Sequence, residues 1–183
     1  MRRDRDGRSE GAIRVMGTGA RTIQEEHAAF GPHLDAIERL ADSVGDLPVE
    51  QLRAEVAKVH EFMAHTLMPH AVAEGRVLFP VVREESGQPT IGVRMTQCHV
   101  QLGRLLEELE GLKAALDRGV SSAQPERDLR RVLYSIHAIL SGHLAEADQE
   151  VEPLLEANLP SEQRQALFAA IERCAREVAS LYE

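Results

Sequence analysis

The chain has 183 residues, 43% of them hydrophobic and 28% charged, which is enough for one domain with a real apolar core. Its formal charge of −9 is the wrong sign for phosphate neutralisation, so nucleic acid is not expected as a partner. It has no apolar run of about 18 residues, so no membrane span is expected either.

The N-terminal stretch MRRDRDGRSEGAIRVMGTGA carries charge but no apolar h-region, so it does not read as a secretory signal. Residues 1–19 are expected to form a disordered arm, and translation could begin as late as Met16. Aromatic residues make up 3% and tryptophan is absent, so Leu, Ala, Val and Ile must fill the core. Leu- and Ala-rich runs of this kind favour helix over strand.

Proline and glycine punctuation divides the chain into five helical segments. The first runs over 22–44, with apolar positions at Phe30, Leu34, Ile37, Leu40 and Ala41, and GDLP ends it. The second runs from Pro48, suited to a first helical turn, to residue 85. SGQP separates it from the third, over 91–118, whose stripe is Met95, Leu102, Leu105, Leu106, Leu109, Leu112 and Leu116. GVSSAQP leads to the fourth, over 126–157, and NLPSEQ opens a fifth that ends near Tyr182. The predicted fold is all-α: an up-down-up-down four-helix bundle over residues 20–158. Residues 159–183 add a C-terminal helix, whose stripe of Leu167, Ile171, Ala175, Val178 and Leu181 either caps the bundle or mediates a homodimer.

The chain also repeats itself. EHAAFGPHLDAIERL (residues 26–40) aligns with CHVQLGRLLEELEGL (98–112), placing His27 on His99 and Gly31 on Gly103. LMPHAVAEGRVLFPVV (67–82) aligns with LSGHLAEADQEVEPLL (140–155), placing His70 on His143 and Pro80 on Pro153. His27 and His70 lie 43 residues apart, His99 and His143 lie 44 apart, so each half is a helical hairpin with one histidine on each helix. Packed by pseudo-twofold symmetry, the two hairpins bring four histidines to one level. His70 and Glu74 are about 40° apart around a helix and about 6 Å along it, so both can point inward at one cation or a pair. Isolated His or Glu side chains inside a bundle are costly, and coordination satisfies several at once. Mixed imidazole and carboxylate donors suit iron, and less distinctively zinc or manganese.

These residues resemble the hemerythrin-like (HHE cation-binding) family over about 21–155. The correspondence lies in His27, HAVAE with LFP, His99, and HLAEAD with EP. The resemblance implies a non-haem di-iron centre, bridged by oxygen and carboxylates, that handles dioxygen, peroxide or nitric oxide. It implies metal ligation by His27, His70, Glu74, His99, His143 and Asp148. Two positions depart from the family pattern. Gly103 stands where hemerythrins proper carry a second histidine on helix three, and Ala147 stands at i+4 from His143, where many members have Glu. Asp148, at i+5, matches the respiratory hemerythrins but lies about 140° around an ideal helix and needs a local π-type widening. Glu146, at i+3, needs no distortion and is the competing ligand.

Three functions follow. The first is a di-iron protein that binds, senses or reacts with a small oxidant; catalase-like peroxide breakdown would use the same cluster, so enzymatic activity stays open. The second is an iron- or zinc-buffering module, and the third a regulatory bundle without a complete cluster. Cys98 and Cys174 are too few for a disulfide framework, are read as inert thiols, and point to a reducing cytoplasm. Pro69 either kinks its helix incidentally or aims His70 inward. His33, His60, His65 and His137 fall off the repeat-matched level and are read as surface or supporting residues.

Overall fold

A computed structural model describes residues 22–87, 90–119 and 123–181, so the expected arm and Tyr182 lie outside the described residues. All regular structure among the described residues is helical. The first predicted helix is in fact two. A six-residue helix α1 (Ile23–Ala28) precedes α2 (Gly31–Ser43), and Ala29 and Phe30 turn between them through i→i−3 bonds to Glu26 and His27. Pro32, in the first turn of α2, has no N–H to extend the ladder from α1, and its fixed φ suits a helix start. Thr22 caps α1, its hydroxyl accepting from the Glu25 amide at 3.0 Å.

The second predicted helix is one uninterrupted helical run that changes gauge. It reads as α3 (Val49–Phe62), a π-helical turn (Met63–Leu67), α4 (Met68–Ala73), a second π turn (Glu74–Leu78) and α5 (Phe79–Ser86). Gly87 closes α5 in the left-handed region at φ 61°, where glycine has no Cβ to clash. Then come α6 (Thr90–Asp117), α7 (Ala123–Glu146), a third π turn (Ala147–Val151), α8 (Glu152–Asn158) and α9 (Ser161–Ala179).

Each π turn sits directly ahead of a proline in the first turn of the next helix: Pro69, Pro80 and Pro153. A proline removes one ladder donor and crowds the carbonyl four residues back, and one wider turn relieves both. In each case the residue before the proline donates its amide five residues back: Met68 to Met63, Phe79 to Glu74, and Glu152 to Ala147.

Helices α2, α3, α6 and α7 pack in a closed circuit, α2 on α3, α3 on α6, α6 on α7 and α7 on α2, while α9 lies along α4. The buried apolar residues form two clusters. One contains Phe30, Leu67, Leu102 and Leu140; the other contains Ile23, Ala73, Met95 and Ala147. At each of His27, His70, His99 and His143, then, one cluster lies on each side along the chain, and the polar level is walled from both ends of the core. Most of the α6 stripe is buried, with Leu106 and Leu112 partly so. On α9, Phe168, Ile171 and Val178 are buried, whereas Leu181, assigned by the sequence to its apolar stripe, is 78% exposed just past the helix end.

Candidate metal centre

Glu74 is the centre of the polar level. Its side chain is 1% exposed, on the first residue of the second π turn, and its two oxygens face different pairs of imidazoles. Oε1 lies 3.5 Å from His27 Nε2 and 3.3 Å from His70 Nε2. Oε2 lies 3.0 Å from His99 Nε2 and 3.2 Å from His143 Nε2. His99 and His143 bring their Nε2 atoms to 3.4 Å of one another. The structure therefore brings together His27, His70, Glu74, His99 and His143, and the two repeat halves contribute two histidines each.

These are hydrogen-bond lengths without hydrogen-bond alignment. Both oxygens of Glu74, both ring nitrogens of His27 and Nε2 of His70 are buried with no aligned partner. Polar groups this deep are ordinarily satisfied, so a convergent set that is not satisfied calls for something that takes lone pairs. The spacing suits a cation: two donors each about 2.1 Å from one ion, at angles between right and tetrahedral, lie roughly 3.0–3.4 Å apart. One atom each from His27, Glu74 and His143 also fall within 4.8 Å of one another. The donor set fits a first-row transition metal.

The fourth-helix carboxylates separate clearly. Asp148 sits in the third π turn, which supplies the widening that its i+5 spacing demands, and its Oδ1 is buried, unpartnered and 3.9 Å from His27 Nδ1. That is the ring nitrogen opposite the one facing Glu74. Glu146 instead is held by the Arg94 guanidinium at 2.9–3.0 Å. Ala147 is fully buried in the second apolar cluster, so its small side chain serves packing there.

Four contacts were not anticipated from sequence, one of them the Cys98 thiol on His143. Glu26 Oε1 lies 3.0 Å from His70 Nδ1, the arrangement that orients an imidazole for ligation through its other nitrogen. Phe30 packs edge-on to His70 at 5.2 Å, and Phe79 stacks on His99 at 5.3 Å. The only sequence signal for Glu26 is its place beside His27, since a helical neighbour projects about 100° away, here toward the next helix. Of the remaining histidines, His33 stacks on Phe62 at 4.0 Å, exposed His65 faces Glu61 at 3.7 Å, and His60 and His137 are half-buried away from Glu74.

Protonation follows from the same geometry. Burial disfavours the His70 cation, but the Glu74 charge and the Glu26 contact outweigh it and push its pKa up to about 10. Burial likewise opposes the His143 cation, and the Cys98 thiol and Glu74 carboxylate outweigh it, giving about 9. Burial alone would raise the Glu74 carboxyl, yet the His70 charge and the His143 and His27 contacts hold it well below the usual carboxylate range. Burial lowers His99, which is thus a neutral donor. Without a metal, the protonated His70 and His143 offset the charge of the buried Glu74 carboxylate.

Among the described residues, no helix is long and apolar enough to cross a membrane. Compared with known proteins, residues 18–155 match the family model described as hemerythrin HHE cation binding domain. No match was found among curated proteins or among solved structures.

Proposed function

Because the chain belongs to the hemerythrin HHE cation-binding domain family, we propose that it is a non-haem di-iron protein that binds, senses or reacts with dioxygen, peroxide or nitric oxide. The scaffold is an up-down-up-down four-helix bundle with an additional C-terminal helix. The observation that carries the reading is the buried, unpartnered Glu74 carboxylate with a pair of imidazoles facing each oxygen. Glu74 would serve both cations: His27 and His70 would hold one beside Oε1, and His99 and His143 the other beside Oε2. Asp148 would be the second carboxylate, set behind the His27 ring at Nδ1 rather than among the donors that face Glu74. A bound iron pair supplies electron-transfer chemistry toward small oxidants; the protein supplies donors, orientation and exclusion of bulk water.

Glu26 keeps His70 in the tautomer whose Nε2 is free for metal. Phe30 and Phe79 wall the imidazoles on either side, so a ligand entering the site meets apolar surface. Gly103 contributes no donor; a Cβ added there would find the Met68 methyl as its nearest neighbour, at 3.5 Å. With no donor from Gly103, a cation held by His99 and His143 would have one protein ligand fewer than in hemerythrins proper, which favours reaction or sensing over simple carriage. Both cysteines are free, in keeping with a reducing cytoplasm.

Metal analysis with an optical spectrum tests the proposal. Protein from iron-supplied cells is expected to carry about two irons per chain, with near-ultraviolet bands that change on adding peroxide. The His27–Glu74–His143 triad favours a second reading, a one-ion buffering site. One zinc or iron per chain with a spectrum indifferent to peroxide would establish that reading in place of the first.

A further inference from the structure

The two histidine pairs hang on unequal supports. His99 lies within α6, 28 residues of unbroken helix, and is backed by the stacked Phe79 ring. His27 lies on α1, six residues long and broken from α2 at Ala29 and Phe30. The same short helix carries Glu26, the partner of His70 Nδ1. One movement of α1 would withdraw a donor from the Glu74 Oε1 side and the group that orients the other donor.

What holds α1 down is specific. Ile23 is buried in the second apolar cluster, and its amide donates to Glu152 Oε2 at 3.1 Å, a contact spanning 129 residues. Glu152 is itself buried, on the first residue of α8, and α1 packs against the π turn that precedes it. In the internal repeat, Glu152 occupies the position of Phe79, each directly before its proline. The second half's first-helix histidine, His99, is thus backed by an aromatic face from the first half. The first half's, His27, is served by a carboxylate from the second half that grips the backbone one helical turn ahead of it.

We infer that Glu152 is a positioning residue that latches α1 over the metal centre, and that the cation between His27 and His70 is loaded and released by opening of α1 while the His99–His143 cation stays in place. This rests on the two-cation reading above. The latch is a charge-assisted hydrogen bond from an otherwise orphaned helix-start amide, so its loss falls on α1 before it falls on the rest of the fold.

The test is hydrogen exchange on metal-free protein, with chelator-driven release from iron-loaded protein, for wild type, Glu152→Ala and Glu152→Gln. In Glu152→Ala, amides of residues 23–28 are expected to exchange faster by about tenfold or more, with α6 unchanged. One iron per chain should leave rapidly and the other at the wild-type rate. Glu152→Gln keeps an acceptor but not the charge, and should show about half that effect on a logarithmic scale. It carries the test if Glu152→Ala does not fold. Unchanged exchange at residues 23–28, or equal acceleration of both irons, would overturn the inference. If the wild type bound no second ion, the two-cation reading would fail on its own, while the metal-free exchange would still decide whether Glu152 latches α1.

Discussion

Loading the centre with metal must expel protons, and the structure sets how many. A metal ligand must be neutral imidazole, whereas in the metal-free protein Glu74 keeps His70 and His143 charged, with pKa values of about 10 and about 9. At pH 7.5 the His70 proton is then held about two and a half decades, and the His143 proton about one and a half decades, more tightly than metal binding allows. Each cation is thus opposed by one tightly held proton, on His70 at the Oε1 side and on His143 at the Oε2 side. Titration calorimetry with a divalent first-row metal, in buffers of different ionisation enthalpy, should count about two protons released per chain. Apparent affinity for each ion should climb by up to about tenfold between pH 7 and pH 8, as one proton leaves with each ion. Release of less than one proton, or an affinity flat across that interval, would show that the imidazoles are already neutral. The account of how Glu74 is satisfied without metal would then be wrong.

The same groups give the metal-free protein a stability profile with two edges. Raised histidines stabilise fully below their unfolded value of 6.5 and lose that contribution as pH rises through about 9 and 10. Lowered Glu74 stabilises above its unfolded value of 4.5 and loses that contribution as pH falls. Urea midpoints should therefore peak between these two unfolded values, and bound metal should remove the alkaline decline. Deleting exposed Gln149 from the third π turn should restore α-helical gauge and swing Asp148 off His27; circular dichroism should stay helical while metal at the His27 side weakens. Phe168→Ala, at a fully buried α9 position, should cost about 3–5 kcal/mol in urea unfolding. Gly103→His should fit with only a small shift of Met68, and its added donor should slow chelator-driven release of one ion by about tenfold or more, read by metal absorbance.

The all-helical class and the placing of His27, His70, Glu74, His99 and His143 around one level are legible in the chain itself. Apolar spacing of threes and fours, punctuated by Pro and Gly, states where helices run, and an internal repeat states which histidines share a level. Both are one-dimensional signals. The break at Ala29–Phe30 was not legible, because Pro32 could equally have kinked a continuous helix. Sequence also left Asp148 and Glu146 as rivals, since helical angle favours one and the family's spacing the other. Tertiary structure gives them different partners: Asp148, in the π turn ahead of Pro153, faces His27, and Glu146 is held by Arg94 on α6. Glu26 beside His70 and Glu152 on the Ile23 amide belong wholly to this second kind. Each joins groups from different helices, 44 and 129 residues apart, and only packing decides which side chains meet across such distances.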